Sequence, residues 1–101
     1  MEIPALKGVT RFEWDTGNLK HIALHNVTSD EAEEVFLDRD NIWQEDIGHS
    51  TSRETRYLII GKTEKGRLLY QIFIRRGNKI RVLSSRDAHK KKEVDLYEET
   101  T

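Results

Sequence analysis

The sequence predicts an α+β fold in which two N-terminal helices precede an antiparallel sheet of about four strands and a C-terminal helix follows. Residues 16–37 carry two apolar stripes of helical spacing, and each stripe follows capping residues. Residues 55–84 are rich in β-branched, aromatic and aliphatic side chains. No alternation of strands and helices follows residue 40, so we do not expect a parallel sheet.

The N-terminal quarter predicts a short strand and then a helix. Val9 to Trp14 is the strand, and Asp15 or Thr16 can cap a helix that runs to about His25. Asn26 is expected to end this helix, because asparagine tolerates the left-handed conformation found at helix C-termini. The predicted buried stripe of the helix consists of Leu19, Ile22 and Ala23.

A second helix and two strands follow. Thr28 and Glu31 have the spacing of a capping box, so the second helix begins at about residue 29. Its predicted apolar face consists of Ala32, Val35 and Phe36. In residues 41–46, apolar and polar side chains alternate weakly, which predicts a strand. Residues 47–53 predict a loop, residues 55–61 a second strand, and residues 62–66 the turn that follows it.

The centre of the predicted sheet is a β-hairpin formed by residues 68–75 and 79–84 around the turn at Gly77 and Asn78. In the expected register, residue 76 faces 79, residue 74 faces 81 and residue 72 faces 83. One face then carries Leu68, Tyr70, Ile72, Ile74, Arg76, Lys79, Arg81 and Leu83. The other carries Leu69, Gln71, Phe73, Arg75, Ile80, Val82, Ser84 and Arg86, and its arginines predict a phosphate-binding floor.

The last helix is expected to begin near residues 84–87 and to run to about Glu98, with Ala88, Val94 and Tyr97 as its contacts. A chain of 101 residues without a linker or repeat predicts one domain over residues 1–101. The absence of cysteine excludes disulfides and thiolate metal sites. No apolar run approaches a membrane span, so we expect a soluble cytoplasmic protein.

Charge is strongly segregated along the chain, although the net charge is only −1. Residues 1–52 contain four basic and eleven acidic side chains, whereas residues 53–92 contain thirteen basic and three acidic ones. This basic middle predicts a polyanion or an acidic protein as partner. The alternative is a solvated sheet surface whose cations are neutralised within the protein by the acidic helices.

A series of short motifs resembles the BrnT family of type II toxin ribonucleases. The motifs run in order through Phe12-Glu13-Trp14-Asp15, His25-Asn26-Val27-Thr28, Asp30-Glu31-Ala32, Val35-Phe36, Glu54-Thr55-Arg56, Ile60-Gly61, Gly66-Arg67-Leu68-Leu69 and Ile80-Arg81-Val82-Leu83-Ser84-Ser85-Arg86, with Ala88, Glu93 and Tyr97. The resemblance implies a RelE-like fold, cleavage of messenger RNA and arrested translation. It also implies a BrnA-like antitoxin, through which alone the protein would meet operator DNA.

RNA cleavage without a metal requires a base, an acid and positive charge at the phosphate. The predicted catalytic residues are Arg56, Arg75 and Arg86 for the charge, with Glu54 or His25 as base or acid. The predicted RNA contacts are Lys20, Lys79 and Arg81, the last of which has packing as its alternative role. His21 and His25 are four residues apart on one helix, but two ligands make an incomplete site, so no metal or other cofactor is expected.

Two other functions remain open on the sequence alone. A non-catalytic module with the same fold could bind RNA or a protein through its basic surface. The low net charge favours that reading, and so does Leu24, which stands where many relatives of the resembled family have a lysine. An enzyme acting on a small phosphorylated substrate is the third possibility, but no glycine-rich phosphate loop supports it.

Overall fold

The computed structural model of the protein describes residues 6–99, which form a five-stranded mixed sheet with helices on both faces. The elements in chain order are β1 (Arg11–Phe12), α1 (Thr16–Ala23), α2 (Ser29–Leu37), β2 (Ile42–Glu45), β3 (Arg56–Lys62), β4 (Leu68–Arg76), β5 (Lys79–Asp87) and α3 (Lys91–Glu98). The strand order across the sheet is β1-β5-β4-β3-β2. The α+β class, the three helices and the central β4–β5 hairpin are therefore confirmed.

The expectation of about four antiparallel strands is wrong in two respects. The sheet has five strands, and β1 pairs with β5 in parallel through Arg11 opposite Lys79 and Phe12 opposite Ile80. The strand predicted over residues 9–14 is only two residues long. β1 lies at the edge of the sheet beside β5, and because the two strands are far apart in sequence, local propensity does not determine the direction in which they pair.

Both N-terminal helices begin where their capping residues predict. The side chain of Asp15 accepts from the backbone N–H of Asn18, and the side chain of Thr28 accepts from that of Glu31. Asn26 has a φ of 58°, as expected for a residue that ends a helix in the left-handed conformation.

The predicted buried stripe of α1 is only partly correct. Ile22 is buried, but Leu19 is 40% exposed and Ala23 is exposed. Asn18 is buried in their place, because its amide donates to the carbonyl oxygens of Glu13 and Val82 and so ties α1 to β5. Asn18, a polar residue near the start of α1, therefore makes the contact with β5 that the apolar pattern had predicted for Leu19.

Each face of the sheet carries its own apolar cluster. On the α1/α2 face, Ile22, Val27, Ala32 and Val35 pack against strand residues Ile59, Leu69, Phe73, Ile80 and Val82. On the α3 face, Tyr97 and Ala88 pack against Leu58 and Ile60. The helix α3 covers one part of that second face, and the rest of it is available for a cleft.

A β-bulge in the central hairpin corrects the predicted register. Arg76 faces Lys79 and Ile74 faces Arg81 as expected, but Ile72 faces Ser84 instead of Leu83. The extra residue reverses the side-chain alternation in the second half of β5. Ser84 and Arg86 consequently lie on the α3 face, and Ser85 is buried on the α1/α2 face, where its hydroxyl donates to Gln71.

The start of the last helix was also predicted wrongly. Residues 84–87 continue β5, and α3 begins at Lys91. Pairing with β4 holds this segment extended through Asp87, which faces Leu69. Ala88 and Tyr97 are buried as expected, and Val94 is partly buried.

Candidate functional site

Three of the arginines in the basic segment are neutralised by acidic side chains of the same chain. Arg81 Nη1 lies 2.8 Å from Asp15 Oδ2, and Arg67 Nε lies 2.7 Å from Asp87 Oδ1. Arg86 makes two hydrogen bonds to a single carboxylate, which is described below. The interpretation of the charge segregation as internal neutralisation is thus correct for these three side chains.

Arg56 differs from those three because its guanidinium makes no hydrogen bond within residues 6–99. Its nearest acidic atom there is Glu54 Oε1, at 3.8 Å from Nε, and its side chain is 40% exposed. Arg56 faces Ile74 across the sheet and lies on the α3 face. A guanidinium with unused donors on a rigid strand is suited to binding a phosphate.

Arg56 lines a cleft on the α3 face that we call the Arg56 cleft, with a volume of about 360 Å³. The other lining residues come from α1, from the β2–β3 loop and from the two central strands: His21, Asp46, His49, Tyr70, Ile72, Leu83 and Ser84. The bulge contributes to this site directly, because Ser84 reaches the cleft only in the shifted register. Two imidazoles, a phenol, a hydroxyl and a guanidinium thus line one small cleft.

The β2–β3 loop holds His49 against Asp46. His49 Nδ1 lies 2.9 Å from Asp46 Oδ2 and 3.1 Å from Asp46 Oδ1. Because a carboxylate can only accept, the bonded Nδ1 carries a proton and the neutral ring has its lone pair at Nε2. The Ser50 hydroxyl fixes the loop by donating to the Asp46 carbonyl oxygen and accepting from the Arg56 N–H. This arrangement orients an imidazole as a base.

Tyr70 lies between the cleft and Arg86. The centre of the Arg86 guanidinium is 4.4 Å from the centroid of the Tyr70 ring. Arg86 Nη1 and Nη2 donate to Glu93 Oε1 and Oε2 at 2.9 and 2.6 Å. Hydrogen bonding to Glu93 raises the pKa of Arg86, and the same bonds lower the pKa of Glu93. Burial, and then the charge of Glu93, raise the pKa of Tyr70, so its phenol is a neutral donor at neutral pH.

The three predicted catalytic arginines do not share one face. Arg75 lies on the α1/α2 face at the hairpin end, where its guanidinium donates to the carbonyl oxygens of Gly77 and Lys7. Arg56 and Arg86 lie on the α3 face, opposite Ile74 and Tyr70. Four residues of β4 separate those two positions, or about 13 Å along the strand. The predicted floor of arginines on the Gln71 face is therefore wrong, because that face is buried under α1 and α2.

The two predicted acid–base residues lie at opposite ends of the sheet. Glu54 precedes β3 and lies between Arg56 and Arg76, whose nitrogen atoms are 3.8 and 3.9 Å from its carboxylate. His25 follows α1, and its carbonyl oxygen accepts from Arg67, the residue before β4. Arg67 and the strand position opposite Arg56 are about 23 Å apart along β4. His25 and Arg56 are thus not brought together.

The predicted RNA contacts are dispersed. Lys20 is exposed on α1, and Lys79 is partly buried beside the hairpin turn, opposite Arg76. Arg81 is only 15% exposed and is held by Glu13 and Asp15, which favours the packing role named as its alternative.

Sequence reasoning missed four residues of the Arg56 cleft, namely His21, Asp46, His49 and Tyr70. The spacing of Asp46 and His49 around Gly48 was a usable signal, because an aspartate and a histidine three residues apart in a tight turn can hydrogen-bond. No comparable signal marked Tyr70, whose position depends on pairing with β5. Residues 6–99 contain no group of three or more histidine, aspartate or glutamate side chains arranged to hold a metal ion.

Comparison with known proteins identifies the family. A family model described as "Ribonuclease toxin, BrnT, of type II toxin-antitoxin system" matches residues 14–92. A comparison with curated proteins finds no match to this chain. None of the helices within residues 6–99 is long and apolar enough to cross a membrane.

Proposed function

The chain belongs to the BrnT family of ribonuclease toxins from type II toxin–antitoxin systems, and from this premise we propose that it cuts messenger RNA at the Arg56 cleft and thereby arrests translation. The observation that carries the location is the unbonded guanidinium of Arg56 in a cleft that also contains the His49–Asp46 pair. Metal-independent cleavage needs a base, an acid and a positive charge, and this cleft is lined by all three.

The proton acceptor in this proposal is Nε2 of His49. It removes the proton from a ribose 2′-hydroxyl, whose oxygen attacks the adjacent phosphorus. The bond from phosphorus to the 5′-oxygen of the next nucleotide breaks as the new bond forms, so the products are a 2′,3′-cyclic phosphate and a 5′-hydroxyl. Asp46 stabilises the imidazolium that forms on His49, because its carboxylate accepts from Nδ1.

Arg56 supplies the positive charge. Negative charge grows on the phosphate oxygens during attack, and a guanidinium with free donors stabilises it without having to break an internal bond first. Protonation of the leaving 5′-oxygen requires an acid, and the cleft offers the His21 side chain and the neutral Tyr70 phenol. Arg86 enters as a positioning residue, because it packs on the Tyr70 ring while Glu93 fixes its guanidinium.

The proposal also covers the biological setting that the family implies. The toxin acts in the cytoplasm on messenger RNA, and a BrnA-like antitoxin neutralises it and links it to operator DNA. Its architecture, a mixed sheet with helices on both faces, is compatible with the RelE-like fold implied by the motif resemblance.

The test is digestion of labelled RNA by the purified protein in the presence of a chelator. We expect wild-type protein to cut RNA and to leave cyclic phosphate ends. His49→Ala and Arg56→Ala should each lower kcat by about 10² to 10³-fold. His89→Ala is the matched control, because His89 is exposed near the opposite end of the sheet, where its Nδ1 lies 3.0 Å from the Asp87 carbonyl oxygen.

Growth assays test the toxin role in parallel. Expression of the wild-type chain should stop growth, and expression of His49→Ala at equal soluble yield should not. Full cleavage activity in both His49→Ala and Arg56→Ala would contradict the proposed site. Salt-dependent RNA binding without any cutting would support a non-catalytic RNA-binding module instead.

A further inference from the structure

A second cleft lies at the hairpin end of the sheet, beside the Arg56 cleft. It has a volume of about 470 Å³ and is lined by Arg53, Glu54, Thr55, Tyr57, Arg75, Arg76 and Gly77. We call it the arginine cleft. Three arginines and one glutamate give its lining a formal net charge of +2. The mechanism proposed above uses none of its arginines.

The arginine cleft retains unused hydrogen-bond donors. Arg53 is exposed, and its guanidinium has no ion pair or hydrogen bond within residues 6–99. Arg76 has a 56% exposed side chain, and its acidic neighbours Glu13 and Glu54 are 3.6 and 3.9 Å away, beyond hydrogen-bonding distance. Arg75 donates to the carbonyl oxygens of Gly77 and Lys7, so it contributes charge and fixes the turn. Clustered guanidinium groups repel one another, and a bound anion relieves that repulsion.

Glu54 connects the two clefts. Its carboxylate lies 3.8 Å from Arg56 Nε and 3.9 Å from Arg76 Nη2, so Arg56, Glu54 and Arg76 form a row across the hairpin end. Arg56 faces the first cleft and Arg76 faces the second. A polyanion bound at Arg56 therefore reaches the arginine cleft without leaving the surface.

The walls of this cleft fit a phosphate better than a base. Tyr57, its one aromatic residue, already stacks on Phe73 with centroids 5.2 Å apart and contacts Trp43 on the same face. The remaining lining is made of arginines, a carboxylate, a threonine and Gly77. Guanidinium groups bind phosphate oxygens with two parallel hydrogen bonds.

We propose that the arginine cleft is a phosphate subsite that binds the RNA backbone next to the nucleotide cut in the Arg56 cleft. The inference rests on the proposed ribonuclease function and extends it, because the protein then recognises a strand of several nucleotides. Arg53 and Arg76 make the phosphate contacts, and Arg75 positions the turn that carries Arg76.

The test measures binding of a short 2′-O-methyl oligoribonucleotide, which cannot be cut because it lacks the attacking hydroxyl. The variants are Arg53→Gln, Arg76→Gln and the double variant. Arg39→Gln is the matched control, because Arg39 is exposed in the α2–β2 loop, away from both clefts. Each single variant should bind about tenfold more weakly. The slope of log K against log salt should become shallower by about 0.7 for each lost contact.

The outcomes separate this proposal from the ribonuclease function. Weaker binding and a shallower salt slope in the double variant, with Arg39→Gln unchanged, support the subsite even if wild-type protein fails to cut unmodified RNA. That failure would count against the ribonuclease function alone. Equal binding by wild type and the double variant overturns the subsite and assigns the cleft to another anionic partner, such as an acidic protein segment. Absence of RNA binding by wild type overturns it as well.

Discussion

The contact between Arg86 and Glu93 should stabilise the fold, and a double-mutant cycle measures by how much. Glu93 is 7% exposed, and it receives two hydrogen bonds of 2.9 and 2.6 Å from a guanidinium that also packs on Tyr70. Breaking a fully buried pair costs about 3–5 kcal/mol. The Arg86 side chain remains 26% exposed, so solvent screens the pair and about 2 kcal/mol is expected for Glu93→Gln.

The matching single variant is Arg86→Met, which retains apolar contact with Tyr70 but loses the charge. It should cost about 2–3 kcal/mol, because it leaves the Glu93 carboxylate without its cation. The double variant should cost little more than either single change, which gives a coupling energy of about 1.5–2 kcal/mol. For a domain of this size, a loss of 2 kcal/mol lowers Tm by about 10 °C.

Urea unfolding followed by the fluorescence of Trp14 and Trp43 gives the free energies of unfolding for the four proteins. Trp43 lies on β2, and Trp14 donates to Glu33 of α2, so the two probes report on the sheet and on the packing of the helices. A coupling energy below about 0.5 kcal/mol would show that the two side chains act independently. That result would refute the view that Glu93 fixes Arg86 and, through it, Tyr70.

Three further predictions concern the fold. Gly61→Ala should destabilise the fold by about 1–3 kcal/mol in urea unfolding, because a new Cβ would lie 3.0 Å from the carbonyl oxygen and Cγ1 of Val35. Gly48→Ala is the control: a Cβ there would meet only Asp46 Oδ1 at 3.9 Å among the described residues, so the free energy of unfolding should change by less than about 0.5 kcal/mol. Tyr97→Phe should cost about 1–2 kcal/mol at neutral pH, because it removes the 2.7 Å hydrogen bond to Asp38, and an unchanged Cm would contradict this. Burial alone would raise the pKa of Asp38, but hydrogen bonds from the Lys62 and Asp40 N–H groups and from Tyr97 lower it below 3.8. The stability that the Asp38 carboxylate contributes is therefore present above pH 3.8 and is lost as pH falls through the lowered pKa. The free energies of unfolding of the wild-type protein and Tyr97→Phe should consequently converge in acid.

The parts of the fold that local chemistry determines could be predicted from the sequence. Both helix N-caps, the left-handed Asn26 and the Gly77-Asn78 turn depend on neighbouring residues, and each lies where it was expected. The parallel pairing of β1 and the position of the bulge depend on distant parts of the chain. The sequence pattern of one hairpin is compatible with a regular register and with a register that contains one extra residue. The packing of the whole sheet selects between the two registers.

That single extra residue also explains why the site could be predicted only in part. With a regular ladder, Arg86 would point towards α1 and α2 in the buried cluster, and with the bulge it lies beside Tyr70 on the α3 face. Arg56 lies on β3 opposite Ile74, between the bulge and the hairpin turn, so the bulge does not change its face. Its accessibility to a phosphate depends only on the sheet and on Glu54. The His49–Asp46 pair required the β2–β3 loop to fold back over the sheet, and loop conformation has no periodic signature in sequence.

The charges that can attract a ligand are those that are not paired with an opposite charge within the protein. Glu13 and Asp15 bind Arg81, Glu31 and Asp87 bind Arg67, and Glu93 binds Arg86, so these three arginines present little net charge to an approaching ligand. The guanidinium groups left without an acidic hydrogen-bond partner within residues 6–99 are concentrated at the hairpin end of the sheet, around Arg53, Arg56 and Arg76. The exposed acidic residues Asp30, in the first turn of α2, and Glu64, just after β3, lie at the far end of β3. The field of the protein is therefore polarised along the strands, and long-range attraction brings a polyanion to the end where the Arg56 cleft and the arginine cleft meet.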